Sequence, residues 1–347
     1  MRNIFLLLIA VTVVFASCEK EKTGSHVSNH FFLRNNNADM PVYVEGNVAS
    51  NIFVIVLHGG PGDEVLVHKH LLNDFTDELE ENYAMVYWQQ RCAGSSQGNV
   101  DRNEVQLSDY VDDLEKLLIL LMHQYGQQIE FFLMGHSWGG ALGTMFLLEG
   151  DNQRDIQGWI EICGAHDGPL ALEFSKEKII TTGENQIALG NNINKWEEIV
   201  YDAKQADLST LDGKIEVYLS GFESENLMVD SMISVETGTT KDYISASFFK
   251  PFNLFSNIIP APFSENFYEE LNSLSLTDDL SEISIPSLFL YGRYDFLVPD
   301  SFGYSAYNEI GTNEKEILIL EKSEHWPMKT EPEKCRIAVI TFIDKYK

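Results

Sequence analysis

Ser137 lies in the run Gly135-His136-Ser137-Trp138-Gly139-Gly140, between an apolar stretch of strand character at 129–134 and an apolar stretch of helix character at 141–148. This is the pattern of a nucleophile elbow. Gly135 and Gly139 let the chain reverse from strand to helix without side-chain collisions, which leaves the serine oxygen exposed at the top of a sheet. Enzymes built this way carry, in chain order, an oxyanion loop, the nucleophile, an acid and a base. Upstream, the apolar run at 52–57 suits a buried parallel strand and ends in His58-Gly59-Gly60-Pro61-Gly62. The backbone N–H groups of Gly60 and Trp138 are the expected oxyanion donors, with Gly59 close to the substrate. Downstream, the run at 287–291 ends in Gly292-Arg293-Tyr294-Asp295. Asp295 taken alone reads as a turn residue, but its place just past a strand end makes it the carboxylate expected to orient an imidazole. After the strand-like run at 316–320 comes Ser323-Glu324-His325-Trp326-Pro327, ahead of an amphipathic helix beginning near Glu331. His325 is the expected base.

These motifs resemble those of the α/β-hydrolases and, within them, the proline iminopeptidase group of serine peptidases. The two glycine motifs and the Gly-Arg-Tyr-Asp segment carry the resemblance, which covers residues 46–164 and 280–347 well and the stretch between them in patches. It implies an α/β-hydrolase fold, a mostly parallel central sheet flanked by helices with an inserted helical cap. It also implies a Ser137-His325-Asp295 triad working through an acyl-enzyme on short peptides with a free N-terminus, with no cofactor and no metal. Members of the group usually carry Asp-Gln-Arg-Gly after the third core strand, where this chain reads Gln89-Gln90-Arg91-Cys92. An amide at 89 cannot form the ion pair an aspartate would. Arg91 is expected to keep a structural role near the oxyanion loop. Cap glutamates in that group bind the α-amine of an N-terminal proline. Glu197, in Asn194-Lys195-Trp196-Glu197-Glu198, resembles one such site and is the expected substrate-binding residue, while a second glutamate motif has no visible counterpart. A carboxylesterase acting on small esters is the alternative chemistry, and a binding lipoprotein that keeps the fold without the reaction is a third reading.

The elements that must position these residues are legible as alternation. Strand-like runs at 52–57, 84–88, 129–134, 156–162, 287–291 and 316–320 alternate with helical stretches, the pattern of a parallel sheet covered on both faces. In the clearest helix Ser108 is the expected cap, and Val111, Leu114, Leu117, Leu118, Leu121 and Tyr125 form the core stripe. The expected division is a first core part at 39–166, a cap at 167–277 and a second core part at 278–347. In 347 residues, 44% of them hydrophobic, there is enough apolar mass for one such core. The aromatic run at 248–255 reads as cap packing with a share in the substrate pocket. His166 and Asp167 border that pocket without a catalytic role.

Residues 1–18 read as a lipoprotein-type signal: Arg2, an apolar run at 4–15 too short to span a membrane comfortably, then Ala16-Ser17-Cys18, with Cys18 the lipidated residue. An ordinary secretory peptide is the alternative, and a retained anchor helix a third possibility. Residues 19–38 read as a flexible tether, so the expected location is the bacterial cell envelope, on a membrane through the lipid. The remaining cysteines, Cys92, Cys163 and Cys335, read as buried free thiols, though an exported compartment permits one disulfide. A net charge of −29 excludes nucleic acid as a partner and mildly favours cationic substrates. His58, His68 and His70 lack the acid and cysteine companions of a zinc site and read as solvated loop histidines.

Overall fold

The computed structural model describes residues 25–230 and 263–347. Its strands are β1 (His26–Asn35), β2 (Ala38–Asn47), β3 (Ile52–Leu57), β4 (Ala84–Trp88), β5 (Gln97–Gly98), β6 (Glu130–His136), β7 (Ile156–Ile162), β8 (Ser287–Gly292) and β9 (Lys315–Leu320). They form one sheet in the order β1-β2-β4-β3-β6-β7-β8-β9, with β5 on β2. From β4 to β9 every pairing is parallel, and β1 and β2 add an antiparallel edge. The helices are α1 (Val65–Leu71), α2 (Asn73–Asn82), α3 (Leu107–Tyr125), α4 (Trp138–Leu148), α5 (Gly168–Leu189), α6 (Ile193–Gln205), α7 (Leu211–Asp230), α8 (Glu265–Ser273), α9 (Asp300–Glu309), α10 (Pro327–Thr330) and α11 (Pro332–Tyr346).

The continuous apolar runs of β3 and β4 follow from burial on both faces. Phe53, Ile55 and Leu57 pack with Leu114, Leu121 and Phe146 of α3 and α4, while Ile52 and Val54 pack with Phe75, Val339 and Phe342 of α2 and α11. Helices α5, α6 and α7 have their own small core of Ile179, Trp196, Ile199 and Val217. They leave the sheet after β7, in the stretch expected to form a helical insertion. Asp167 ties its base: one carboxylate oxygen accepts the Leu170 N–H at 3.0 Å and the other the Ser275 hydroxyl at 2.7 Å. The aromatic run at 248–255, residues 1–18 and the first part of the expected tether lie outside the described residues.

Two local expectations are corrected. Most of the rest of the tether is β1, whose alternate residues Phe31, Leu33 and Asn35 turn inward while Phe32 and Arg34 between them face water. An exposed Phe32 and a buried Asn35 break the two-residue hydrophobic period. Ser108 does not cap α3: the helix starts at Leu107, and the Asp109 carboxylate accepts the Gln106 N–H at 2.9 Å.

Arg91 and Asp113 form a buried, bidentate link between the loop after β4 and α3. Nε and Nη2 of Arg91 donate to the two oxygens of Asp113 at 2.6 and 2.7 Å, Asn35 donates to the same carboxylate, and both charged groups are buried. Arg91 thus keeps a structural role with a partner from α3. Truncating one member of a buried pair strands the other charge. Asp113→Ala is therefore expected to lower unfolding free energy by about 3–5 kcal/mol in urea titrations, whereas Arg34→Ala, at the exposed Arg34–Asp39 pair, should change it by less than about 1 kcal/mol.

Candidate active site

The expected functional turns all leave carboxyl ends of parallel strands: residue 58 onwards after β3, 137 after β6, 293 onwards after β8 and 321 onwards after β9. This is the edge of an open α/β sheet at which ligands bind. Ser137 makes the turn from β6 into α4 with φ 55° and ψ −119°, a conformation costing on the order of 1–3 kcal/mol for a residue with a Cβ. Its neighbours explain how the turn closes. A Cβ on Gly135 would strike the Gly139 carbonyl and the Trp159 ring, and one on Gly139 would strike the Leu57 carbonyl. The Ser137 N–H donates to Ile162 O at 3.1 Å, and its carbonyl accepts the N–H groups of Gly140 at 2.8 Å and Ala165 at 3.0 Å. Trp138 opens α4, where the first N–H groups have no acceptor within the helix.

The loop after β3 lies on the serine. An ideal Cβ at Gly59 would sit 3.4 Å from the Ser137 Cβ, and Gly60 has φ 115°, a value glycine accepts readily. Two adjacent glutamines hold this loop. Gln90 donates its N–H to His58 Nε2 and its side-chain amide to His58 O, each at 3.2 Å, and its Oε1 accepts the Trp138 indole N–H at 2.8 Å. His58 is therefore buried and engaged rather than solvated, with Nδ1 donating to Gly59 O at 2.8 Å. Gln89 donates to Asp63 O at 2.6 Å and accepts the Val65 N–H at 2.8 Å. A carboxylate at 89 has no donor for the first of these bonds. Cys92, standing where the resembling group has glycine, adopts φ 58°.

Asp295 is fully buried. Its Oδ1 accepts the N–H groups of Leu297 and Val298 at 2.9 and 2.8 Å, and its Oδ2 lies 2.8 Å from His325 Nδ1. With Nδ1–H directed at the carboxylate, Nε2 is the ring's proton acceptor. His136 Nε2 is 2.8 Å from His325 O, so the residue before Ser137 anchors the backbone of the imidazole. Ser137 and His325 line one cavity. Among the described hydrogen bonds none joins His325 to the Ser137 hydroxyl, a contact that in such sites commonly tightens with substrate. Cys163 Sγ, Asp295 and His325 offer three ligand atoms within 4.8 Å of one another. The carboxylate and Nδ1 are already joined, and burial together with the Asp295 charge pushes the Cys163 thiol well up, so the thiol is neutral. Cys92, Cys163 and Cys335 are all unpaired.

The cavity, about 410 Å³, adds three carboxyl groups to Ser137 and His325: Asp63, Glu225 and Glu324. A smaller one, about 80 Å³, meets Ser137 from the Trp138 side and is walled by Ala171, Leu172, Leu271 and Val298. Glu225 comes from cap helix α7, and its Oε1 accepts the Phe296 N–H at 3.2 Å. Burial, then the charges of Asp295 and Glu324, push its carboxyl well above the usual carboxylate range. Glu197 does not line either cavity. It is exposed on α6 because Trp196 is turned into the cap core, and consecutive helical residues point about 100° apart. Glu225 carries no sequence signal because Ser220, Ser224 and Glu225 interrupt the apolar period of the inward face of α7 between Val217 and Met228.

A family model described as serine aminopeptidase, S33, matches residues 50–191. The proline iminopeptidase of Heyndrickxia coagulans is 24% identical over 291 residues, covering 84% of this chain and 90% of that protein. The probable aminopeptidase YbaC of Bacillus subtilis (strain 168) is 20% identical over 309 residues, covering 85% of this chain and 90% of its own length. Among solved structures, VinJ superposes with a TM-score of 0.62 at 18% identity, covering 92% of this chain and 99% of VinJ.

The raised Glu225 carboxyl makes stability depend on pH. Its contribution is complete below the unfolded-chain value near pH 4.3 and is lost as pH rises towards the folded value. Glu225→Gln keeps an acceptor for Phe296 and removes that loss. Calorimetry should find the variant melting above wild type at about pH 8, with the gap closing towards about pH 4. A gap independent of pH would contradict the raised carboxyl.

Proposed function

We propose that this chain, a serine hydrolase of the α/β-hydrolase type, is an aminopeptidase of the proline iminopeptidase kind that releases an N-terminal residue from short peptides. Ser137 Oγ attacks the scissile carbonyl while His325 Nε2 takes its proton, and the oxyanion develops against the N–H groups of Gly60 and Trp138. His325 returns the proton to the leaving amine, then activates the water that releases the acyl group. Asp295 keeps Nδ1–H directed and stabilises the imidazolium that forms at each step.

The observation that carries the choice of an amine-bearing substrate is the acidic lining beside Ser137, with Glu225 of the cap as its most buried cap member and Asp63 and Glu324 beside it. A carboxyl lifted by burial and like charges gains most from an incoming ammonium group, which restores its ionised form. The small compartment next to Trp138, walled by Ala171, Leu172, Leu271 and Val298 with Tyr218 and Asn272 beside them and no carboxyl group, suits a short aliphatic or ring side chain. The net charge of −29 adds a long-range attraction for cations. Residues 1–18 complete the proposal as an export signal with Cys18 lipidated, placing the enzyme on a membrane of the cell envelope. Labelled palmitate should enter the wild type and not Cys18→Ser.

Ser137→Ala is expected to abolish both turnover and labelling by a fluorophosphonate while leaving thermal stability in place. Persistent turnover would remove Ser137 from the mechanism. A proline anilide and a short acyl nitrophenyl ester, assayed side by side, separate peptidase from esterase. Losing a charge-assisted hydrogen bond of about 1.5–3 kcal/mol should raise KM for the anilide by about tenfold or more in Glu225→Gln, with ester hydrolysis unchanged. Equal losses on both substrates would favour the esterase.

A further inference from the structure

Glu161, His166 and Tyr291 form a fully buried polar knot that the chemistry above does not use. The Tyr291 hydroxyl lies 2.6 Å from Glu161 Oε1 and 3.1 Å from the Gly164 carbonyl, and His166 Nδ1 lies 3.1 Å from the same Oε1. Burial alone would raise the Glu161 carboxyl. Attraction to the His166 ring and the hydrogen bonds from His166 and Tyr291 instead hold it below its ordinary value. Net stability does not account for such a group, because the desolvation of a buried pair roughly cancels its attraction and an apolar trio of similar volume serves as well.

What the knot touches is more telling. It closes the end of β7 and the turn that follows, residues 162–166, in which Cys163 has φ 46°. A Cβ on Gly164 would strike Glu161, and one on Gly140 would strike the Gly164 backbone, so the turn is wedged between the knot and the start of α4. The same turn supplies both outside hydrogen bonds to the Ser137 backbone, the Ile162 carbonyl at 3.1 Å and the Ala165 N–H at 3.0 Å. Ala165 also walls both cavities at the serine. A strained residue persists only where its surroundings over-determine it, and here the surroundings are this turn.

We propose that Glu161, His166 and Tyr291 are positioning residues for Ser137: they lock the turn after β7 in the shape that brackets the serine backbone between Ile162 and Ala165, and so fix the hydroxyl against its oxyanion donors and His325. This rests on Ser137 being the nucleophile. The three residues reach neither cavity at the serine, so they act on the rate of attack and not on substrate binding.

The test measures kcat, KM, melting temperature and the rate of fluorophosphonate labelling of Ser137 in the full chain. The variants are Tyr291→Phe and the double replacement Glu161→Met with His166→Phe. Displacing a reacting group by a fraction of an ångström costs about tenfold or more, so kcat and labelling rate should fall together by that factor. KM should stay within about twofold, and the double variant should melt no lower than wild type. Glu161→Gln, which keeps the accepting oxygen, should restore most of the labelling rate lost in a Glu161→Met single variant. Labelling within about twofold of wild type in Tyr291→Phe, or rate losses that merely track a lowered melting temperature, would overturn the proposal. Should the double variant fail to fold, Tyr291→Phe, which removes one oxygen atom, decides alone. An unlabelled wild type would instead sink the assignment of Ser137 as nucleophile.

Discussion

The backbone of Ser137 is the constraint around which the rest is arranged. A residue with a Cβ held at φ 55° and ψ −119° is unfavourable by itself, yet this conformation turns the side chain out at the carboxyl edge of the sheet. The strain is tolerated because Gly135 and Gly139 let α4 approach β3 and β6 at distances no side chain would allow, and because the turn after β7 bonds the serine backbone at both its N–H and its carbonyl. Once that turn is closed, Trp138 necessarily opens a helix with a free-facing N–H end, next to the serine and opposite the loop after β3.

The loops that surround the serine are joined to one another as well as to the sheet. Gln90 links His58 to Trp138, Gln89 links the strand β4 exit to Asp63 and Val65, and His136 links the serine turn to the backbone of His325. Beneath them Arg91 and Asp113 tie the same stretch to α3. The replacement of an expected aspartate by Gln89 therefore leaves the loop held by a different device, two directed backbone hydrogen bonds in place of a charge. Such bonds fix geometry without adding a second carboxyl beside that of Glu64, which lies against Gln89 at Gly94 and which burial pushes up to about 7.

The cap contributes chemistry as well as cover. Glu225 reaches from α7 to the backbone of Phe296, next to Asp295, so a carboxyl group of the inserted helices touches the segment that carries the acid. Together with Glu324 and Asp63 it gives one side of the site an acidic character, while the small compartment by Trp138 is lined by no carboxyl group. That asymmetry gives the two sides of the site different electrostatic character. It arises only because two segments far apart in sequence meet above the same serine.

Much of this was decided by the sequence alone. The apolar runs at 52–57, 84–88 and 156–162 specify parallel strands because burial on both faces requires unbroken apolar sequence. The spacing of Gly135, Ser137 and Gly139 specifies the elbow because only glycine fits its closest approaches. The order of Gly60, Ser137, Asp295 and His325 along the chain names the candidate site before any coordinates are known. Other features were open until the chain had folded. Whether a helical glutamate faces a cavity or water depends on which neighbour the core claims: Trp196 was claimed, so Glu197 is exposed, while α7 turned a serine-rich face inward and took Glu225 with it. The strand β1 was hidden because Phe32 faces water and Asn35 is buried, against the apolar alternation. The Glu161-His166-Tyr291 knot joins two strands and a turn through contacts 5 to 130 residues apart. Local pattern reports what a residue is and how often its type recurs. Partners brought together by folding carry no such period, and for that reason they were settled by the tertiary structure.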